Sequence, residues 1–494
     1  MVNRPQVSPI SVTLLSVLLS VGVSPKAAQS ADCIAALETA LAQARMTSQI
    51  SPQAHWGVAL TALDRSVTYQ DQGDRAFVPA SNVKLLTTAA ALLALGADWQ
   101  TETQVYWNRD RLILQGRGDP TLTRADVEAL AMQTLAALPE AATINHLVLD
   151  DGYFEGDQID PHWEWEDTQA GYGAPVNATI VDRNAIPLTL VPQRVGQRLK
   201  VLFERPEEED HWVVENHSRS ISDTETEWLD VGRDWRSNTI TVRGQLISGA
   251  PAESITVSIP DPANYALNTF HQALSDQGLA IPTTMIHHAA FGVGTVVASH
   301  TSPPLSELVT ITNQASDNLF AETLLRQLGA RSPNRREEET TRELGLQQVR
   351  EILQRELALA SETYSIQDGS GLSRHNSIAP VTFVSLLQRM ANSPVAVPFI
   401  SSLPVLGESG TLASWEPLTS GATVRAKTGS MTGIYALSGY LVPPGKATQS
   451  AETLAFSIII NHSDASYRTT QSAVADLLAP IEQFQRCRQS LSSP

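Results

Sequence analysis

The chain has 494 residues, of which 42% are hydrophobic and 17% charged, and a formal net charge of −18. Its length exceeds one compact core and predicts roughly two to four domains, and its apolar content excludes disorder across the whole chain. The acidity is spread in small runs such as Glu207-Glu208-Glu209-Asp210 and Glu337-Glu338-Glu339, which read as solvated surface. It argues against a nucleic-acid partner, because phosphate binding needs clustered Lys and Arg.

Residues 1–30 read as an export signal. Arg4 lies in a short polar region, residues 10–23 are apolar, and Ala28-Gln29-Ser30 precedes Ala31 as a small-residue cleavage site. The apolar run falls short of the about 20 residues that span a bilayer, although an uncleaved anchor is the competing reading. No later stretch is long and apolar enough to span a membrane, so the expectation is an exported, periplasmic protein without an integral membrane segment. Cys33 and Cys487 stand at opposite ends of the mature chain. In an oxidising compartment they could form one disulfide or stay as two unrelated thiols. The sequence has no Cys/His cluster and no His-Glu-x-x-His spacing, and the His287-His288 pair makes no metal site by itself.

A helix is expected over 33–45, then strands over 56–63 and 67–77. Residues 81–95 are apolar on nearly every side, which predicts a buried helix, and Gly96 stops it. Residues 99–299 read as an inserted β-rich region of one or two subdomains. Its short strands are expected over 103–107, 112–115, 144–149 and 239–242, with a helix over 124–138 capped by Thr123. Helical patterning returns over 305–328. A polar linker at 331–341 leads into a helix ending near 357. Strands over 423–426, 436–442 and 454–461 and a helix over 467–491 close the chain. The expected class is α+β, with one discontinuous domain (31–98 and 300–494) interrupted by the insert.

Lysine occurs only at 26, 84, 200, 427 and 446, and two of these stand in chemically suggestive settings. Ser81-Asn82-Val83-Lys84 is the only Ser-x-x-Lys in the chain. Three residues is nearly one helical turn, so both side chains share a face. A serine hydroxyl attacks well only if a neighbouring base takes its proton, and a lysine can do so once desolvation lowers its pKa. The plain alternative is Ser81 as an N-cap beside a solvated Lys84. Lys427-Thr428-Gly429-Ser430, at the end of an expected strand, offers a cation and hydroxyls beside a glycine that permits close backbone approach, a set suited to a carboxylate. By itself it is also an ordinary turn. Ser316-Asp317-Asn318 opens a helix and alone is an ordinary cap.

The order Ser-x-x-Lys, Ser-x-Asn, Lys-Thr-Gly, each in its helix-start, loop or strand setting, is the signature of β-lactamases and penicillin-binding proteins. No Gly-x-Ser-x-Gly elbow competes with it. The chain resembles the low-molecular-mass penicillin-binding proteins of the D-Ala-D-Ala carboxypeptidase/endopeptidase type, the class with a large insert between the first two motifs. The runs 116–122, 181–184, 368–374 and 409–412 resemble further landmarks of that class. The likeness spans nearly all of 31–487. Ser430 stands where the family usually has Thr, and the hydroxyl is kept.

The resemblance implies a serine β-lactamase/DD-peptidase-like fold and a cofactor-free hydrolase. Its substrates would be peptidoglycan peptides, and β-lactams would be covalent inhibitors. It implies Ser81 as nucleophile, Lys84 as base with its pKa lowered partly by Lys427, and Ser316 as proton relay. Asn318, Lys427, Thr428, Gly429 and Ser430 would bind substrate. A β-lactamase or esterase on the same fold, or an inactive wall-binding protein, are the alternatives. The first is disfavoured because no Glu-x-x-Leu-Asn follows Asn318.

Overall fold

Two hydrophobic clusters share one antiparallel sheet, and this sharing organises the part of the chain that carries the motifs. A computed structural model describes residues 25–65, 68–234, 237–288, 294–333 and 338–492. Arg4 and the apolar run at 10–23 lie outside the described residues, as do Val67, at the start of one expected strand, and residues 334–337 of the polar linker. No described helix is long and apolar enough to cross a membrane.

The sheet runs Thr423–Met431, Ile434–Val442, Leu454–Asn461, His55–Ala62, Thr68–Asp71, every neighbouring pair antiparallel. Strands Ile434–Val442 and Leu454–Asn461 are buried along their whole length. Strand alternation sends Ala436, Tyr440 and Val442 into one cluster and Tyr435, Leu437 and Leu441 into the other. The first cluster gathers Leu85, Leu86, Ala89 and Ala90 of the helix Val83–Leu95 against Leu324, Val349 and Phe383. The second is covered by helices Pro25–Thr47 and Leu478–Ser492, which a Cys33–Cys487 disulfide joins with Cα atoms 5.9 Å apart.

Several element boundaries differ from the sequence reading. The strand expected over 67–77 covers only Thr68–Asp71. The helix expected from 81 begins at Val83, because Ala80–Asn82 form a 3-10 turn. The helical run over 305–328 breaks into Leu305–Gln314 and Asn318–Ala330, with Ser316 left-handed (φ 58°) at the break. Both halves bury a face in the same cluster, so apolar periodicity runs across the break, which the Ser316-Asp317-Asn318 cap marks instead. The terminal helix likewise divides, into Tyr467–Asp476 and Leu478–Ser492. The strand expected to end at 426 continues to Met431, through the Lys-Thr-Gly run.

Between the helix Val83–Leu95 and the helix Leu305–Gln314 lie two larger clusters among the described residues. In the first, a five-stranded sheet ordered Thr283–His287, His146–Asp150, Arg111–Gln115, Glu102–Asn108, Thr295–Thr301 carries helices Arg124–Ala137 and Pro262–Asp276. Thr123 caps the first of these helices, as expected. The second was hidden in a stretch read as β-rich; its local signals are the Asp261 cap and Pro262 in the first turn. The other cluster is all β, from strands between Ala185 and Ser258. Glu208 corrects the reading of the acidic run as solvated. It is 4% exposed and receives hydrogen bonds from Arg124 (3.0 Å) and the Tyr265 hydroxyl (2.9 Å).

Helix Asn318–Ala330 is set by its crossing with Thr341–Leu357, where both partners present glycine. A Cβ on Gly329 would collide with the Thr341 carbonyl oxygen, and one on Gly345 with that of Leu325. Because those obstacles are backbone, they cannot rotate away. Gly345→Ala should therefore destabilise the protein by about 1–3 kcal/mol, read as a lowered midpoint in denaturant unfolding. An unchanged midpoint would contradict the close crossing.

Candidate active site

Ser81 sits on the 3-10 turn Ala80–Asn82, immediately before the buried helix. Ala80 is left-handed (φ 47°), a conformation that costs a non-glycine residue about 1–3 kcal/mol and persists only when its surroundings enforce it. Asn82 supplies part of that enforcement, donating from Nδ2 to Ser438 Oγ (2.7 Å), which meets Ser457 Oγ (2.8 Å). The turn is thus tied to the middle of the sheet.

Lys84 follows in the first turn of the helix and is fully buried. Its Nζ lies 3.0 Å from Ser81 Oγ, 2.6 Å from Asn318 Oδ1 and 2.7 Å from the Ser370 carbonyl oxygen. A neutral amine has two N–H groups and one lone pair. Two carbonyl acceptors and one hydroxyl match that inventory. Burial pulls the Lys84 pKa down to about 8, and the carboxylates of Asp368, Asp317 and Glu322 hold it from falling further. The Asn318 amide is oriented from its other end, since Nδ2 donates to the Tyr172 carbonyl (2.9 Å).

A second chain of contacts runs alongside. Lys427, also fully buried, places Nζ 2.8 Å from Ser316 Oγ and 2.8 Å from the Thr428 carbonyl oxygen. Burial, then the charge of Lys84, hold its pKa well below the usual lysine value. Burial is the first cause of the lowering for both lysines, and the charge of Lys84 adds to it at Lys427. Thr428 Oγ1 meets Thr411 Oγ1 at 2.7 Å. Gly429 permits the strand to approach the Ser81 turn: a Cβ there would lie 2.7 Å from Pro79 O and 3.0 Å from the Ser81 amide nitrogen. Ser81, Ser316, Asn318 and Ser430 line one open cleft.

All eight residues singled out from the three motifs are therefore brought together, whereas Cys33 and Cys487 form their bridge on the terminal helices. Several cleft residues carried no sequence signal. Glu164, Asp167 and Tyr172 reach it from the insert, joined by Met431 and Thr432, while Arg374 comes from the run 368–374 noted above. Arg374 pairs with Glu164 (3.1 Å), and Arg183 pairs with Asp317 (3.2 Å) while lying 5.3 Å over the Phe320 ring. Ser370 and Thr411 belong to runs that were singled out without a role. Among the described residues no group of three or more His, Cys, Asp or Glu is arranged to hold a metal ion.

A family model described as the D-Ala-D-Ala carboxypeptidase 3 (S13) family matches residues 35–481. The chain belongs to the S13 family. It is therefore a serine-type D-Ala-D-Ala peptidase, a hydrolase. Its S13 relatives include the D-alanyl-D-alanine carboxypeptidase of Actinomadura sp. (strain R39), 32% identical across 83% of this chain and 78% of the relative. The penicillin-sensitive carboxypeptidase A of Dictyostelium discoideum is 31% identical across 79% of each. Penicillin binding protein 4 of Haemophilus influenzae has the same α+β peptidase fold with an additional domain. It superposes with a TM-score of 0.71 at 25% identity, covering 90% of this chain and 97% of that one.

For this S13 member the approach of strand and turn is testable. Gly429→Ala should leave the fold intact but push the strand off the Ser81 turn, lowering the acylation rate by a fluorescent penicillin about ten- to a hundredfold. Labelling at the wild-type rate would show that the contact is not needed.

Proposed function

We propose that the chain cleaves peptidoglycan stem peptides ending in D-Ala-D-Ala, as carboxypeptidase, endopeptidase or both, through an acyl-enzyme on Ser81. The observation that carries this reading is the Lys84 amine: buried, lowered to about 8, and bonded to two carbonyls and the Ser81 hydroxyl. With its two N–H groups taken by Asn318 and Ser370, the lone pair is left for the serine proton. Ser81 Oγ attacks the carbonyl of the penultimate D-Ala as Lys84 takes that proton, and Ser316 passes a proton to the departing amine. The backbone amides of Ser81 and Ser430 stabilise the oxyanion. Water then releases the acyl group.

Lys427 and Thr428 hold the terminal carboxylate, and Asn318 orients the acyl-side amide. A carboxylate arriving beside Lys427 supplies a counter-charge, so substrate binding favours the charged form of Lys427. β-Lactams acylate Ser81 by the same route. The reading places the enzyme in the periplasm after removal of a leader ending near residue 30. It divides the mature chain into a discontinuous peptidase domain, 31–98 and 300–494, around the insert 99–299.

Fluorescent penicillin should label the wild type and leave Ser81→Ala dark, and digests of purified muropeptides should release D-Ala or cut cross-links only with the wild type. Label persisting in Ser81→Ala would reject the nucleophile. Because the base works deprotonated, the acylation rate should climb as pH rises through about 8 and level off above it. A flat profile from pH 6 to 10 would exclude Lys84 as the base.

A further inference from the structure

Both carbonyl acceptors on Lys84 trace back to one helix. Asn318, the first residue of Asn318–Ala330, supplies the first directly. One turn later Glu322 faces the same way, 1% exposed, and its Oε1 accepts from the backbone N–H groups of Gly369 (2.9 Å) and Ser370 (2.7 Å). The carbonyl of that same Ser370 is the second acceptor on Lys84. The Gly369 carbonyl is held from the other side by Thr87 Oγ1 (2.7 Å), on the Lys84 helix.

We propose that Glu322 is a positioning residue for the Ser81–Lys84 pair, acting through the peptide groups of Gly369 and Ser370. It aims the Ser370 carbonyl so that the Lys84 lone pair faces Ser81, and in its ionised form it sets a negative charge behind the amine. The inference rests on Lys84 being the base.

A neutral acceptor would suffice to hold two N–H groups, so the charge needs its own account. Glu322 faces Asp368 from the same loop, Asp160 from the insert, Arg326 on its own helix and Lys84, with Arg342 from the next helix acting on Arg326 and Asp160. Asp160 lies 3.4 Å from Arg342 and is hydrogen-bonded by His162. Burial, then Asp368 and Asp160, push the Glu322 pKa up to about 8, against Ser370 and Arg326. Its charge in turn helps keep Lys84 from falling further. Removing the Glu322 charge should therefore lower the Lys84 pKa further.

Two variants separate aim from charge. Glu322→Gln keeps an oxygen for the two N–H groups and removes the charge; Glu322→Ala removes both. Acylation by a fluorescent penicillin is followed from pH 6 to 10 for the wild type, both variants and Ser81→Ala, with thermal unfolding as the check on folding. Glu322→Gln should keep its plateau rate within about threefold of the wild type and shift its midpoint to lower pH. Glu322→Ala should lose about ten- to a hundredfold of the plateau rate while its non-covalent affinity for the penicillin stays unchanged. Should Glu322→Ala fail to fold, the Glu322→Gln midpoint decides the matter. Wild-type rate and midpoint in the folded variants, with Ser81→Ala dark, would overturn the Glu322 role and leave the Ser81 reading standing. Label persisting in Ser81→Ala would instead overturn the reading beneath it.

Discussion

The structure turns on one unfavourable act, the burial of the Lys84 amine in a helix that is otherwise a packing element. A charged ammonium in that position would pay heavily in lost hydration, so the fold must surround Nζ with acceptors suited to its neutral form. Asn318 Oδ1 and the Ser370 carbonyl supply two such acceptors, and the Ser81 hydroxyl faces the remaining lone pair. The break before Asn318, the left-handed Ser316 and the tight loop at 368–373 all serve that convergence. Lys427 repeats the pattern on the strand Thr423–Met431, and the mutual repulsion of two ammonium groups favours the neutral state of at least one.

The insert takes part in the same site. Tyr172 fixes the Asn318 amide through its carbonyl, Arg183 pairs with Asp317, and Trp163 Nε1 donates to Asp368 Oδ2 (3.1 Å). Asp368 also accepts from the N–H groups of Gly371 and Ser373, so the loop that presents Ser370 is held partly from the insert. A region that looks dispensable from its distance along the chain therefore holds residues that position the reactive ones.

Much of this was legible beforehand where the signal is local. The apolar run after Ser81 announced a buried helix, Thr123 announced a cap, and the strands near 436–442 and 454–461 announced a sheet. Ser81 and Lys84 could be paired by helical spacing alone. Where the signal is not local, the reading failed. Nothing in the acidic run distinguishes Glu208, whose burial depends on Arg124 eighty-four residues earlier. Apolar periodicity passed over the break at Ser316 because the halves on either side pack into one cluster. Glu164, Asp167 and Tyr172 are ordinary polar loop residues until the insert folds back over the cleft.

From its sequence alone the protein's candidate site was already legible: a hydroxyl, an amine, a strand glycine, and a class of chemistry they could perform. These follow from side-chain identity and short-range spacing, which the backbone geometry of helix and strand converts directly into shared faces. Tertiary structure alone decided the burial that lowers the Lys84 pKa, the oxygens gathered around its Nζ and the walls of the cleft. Those properties depend on desolvation and on acceptors brought in from segments hundreds of residues apart, and only packing creates either.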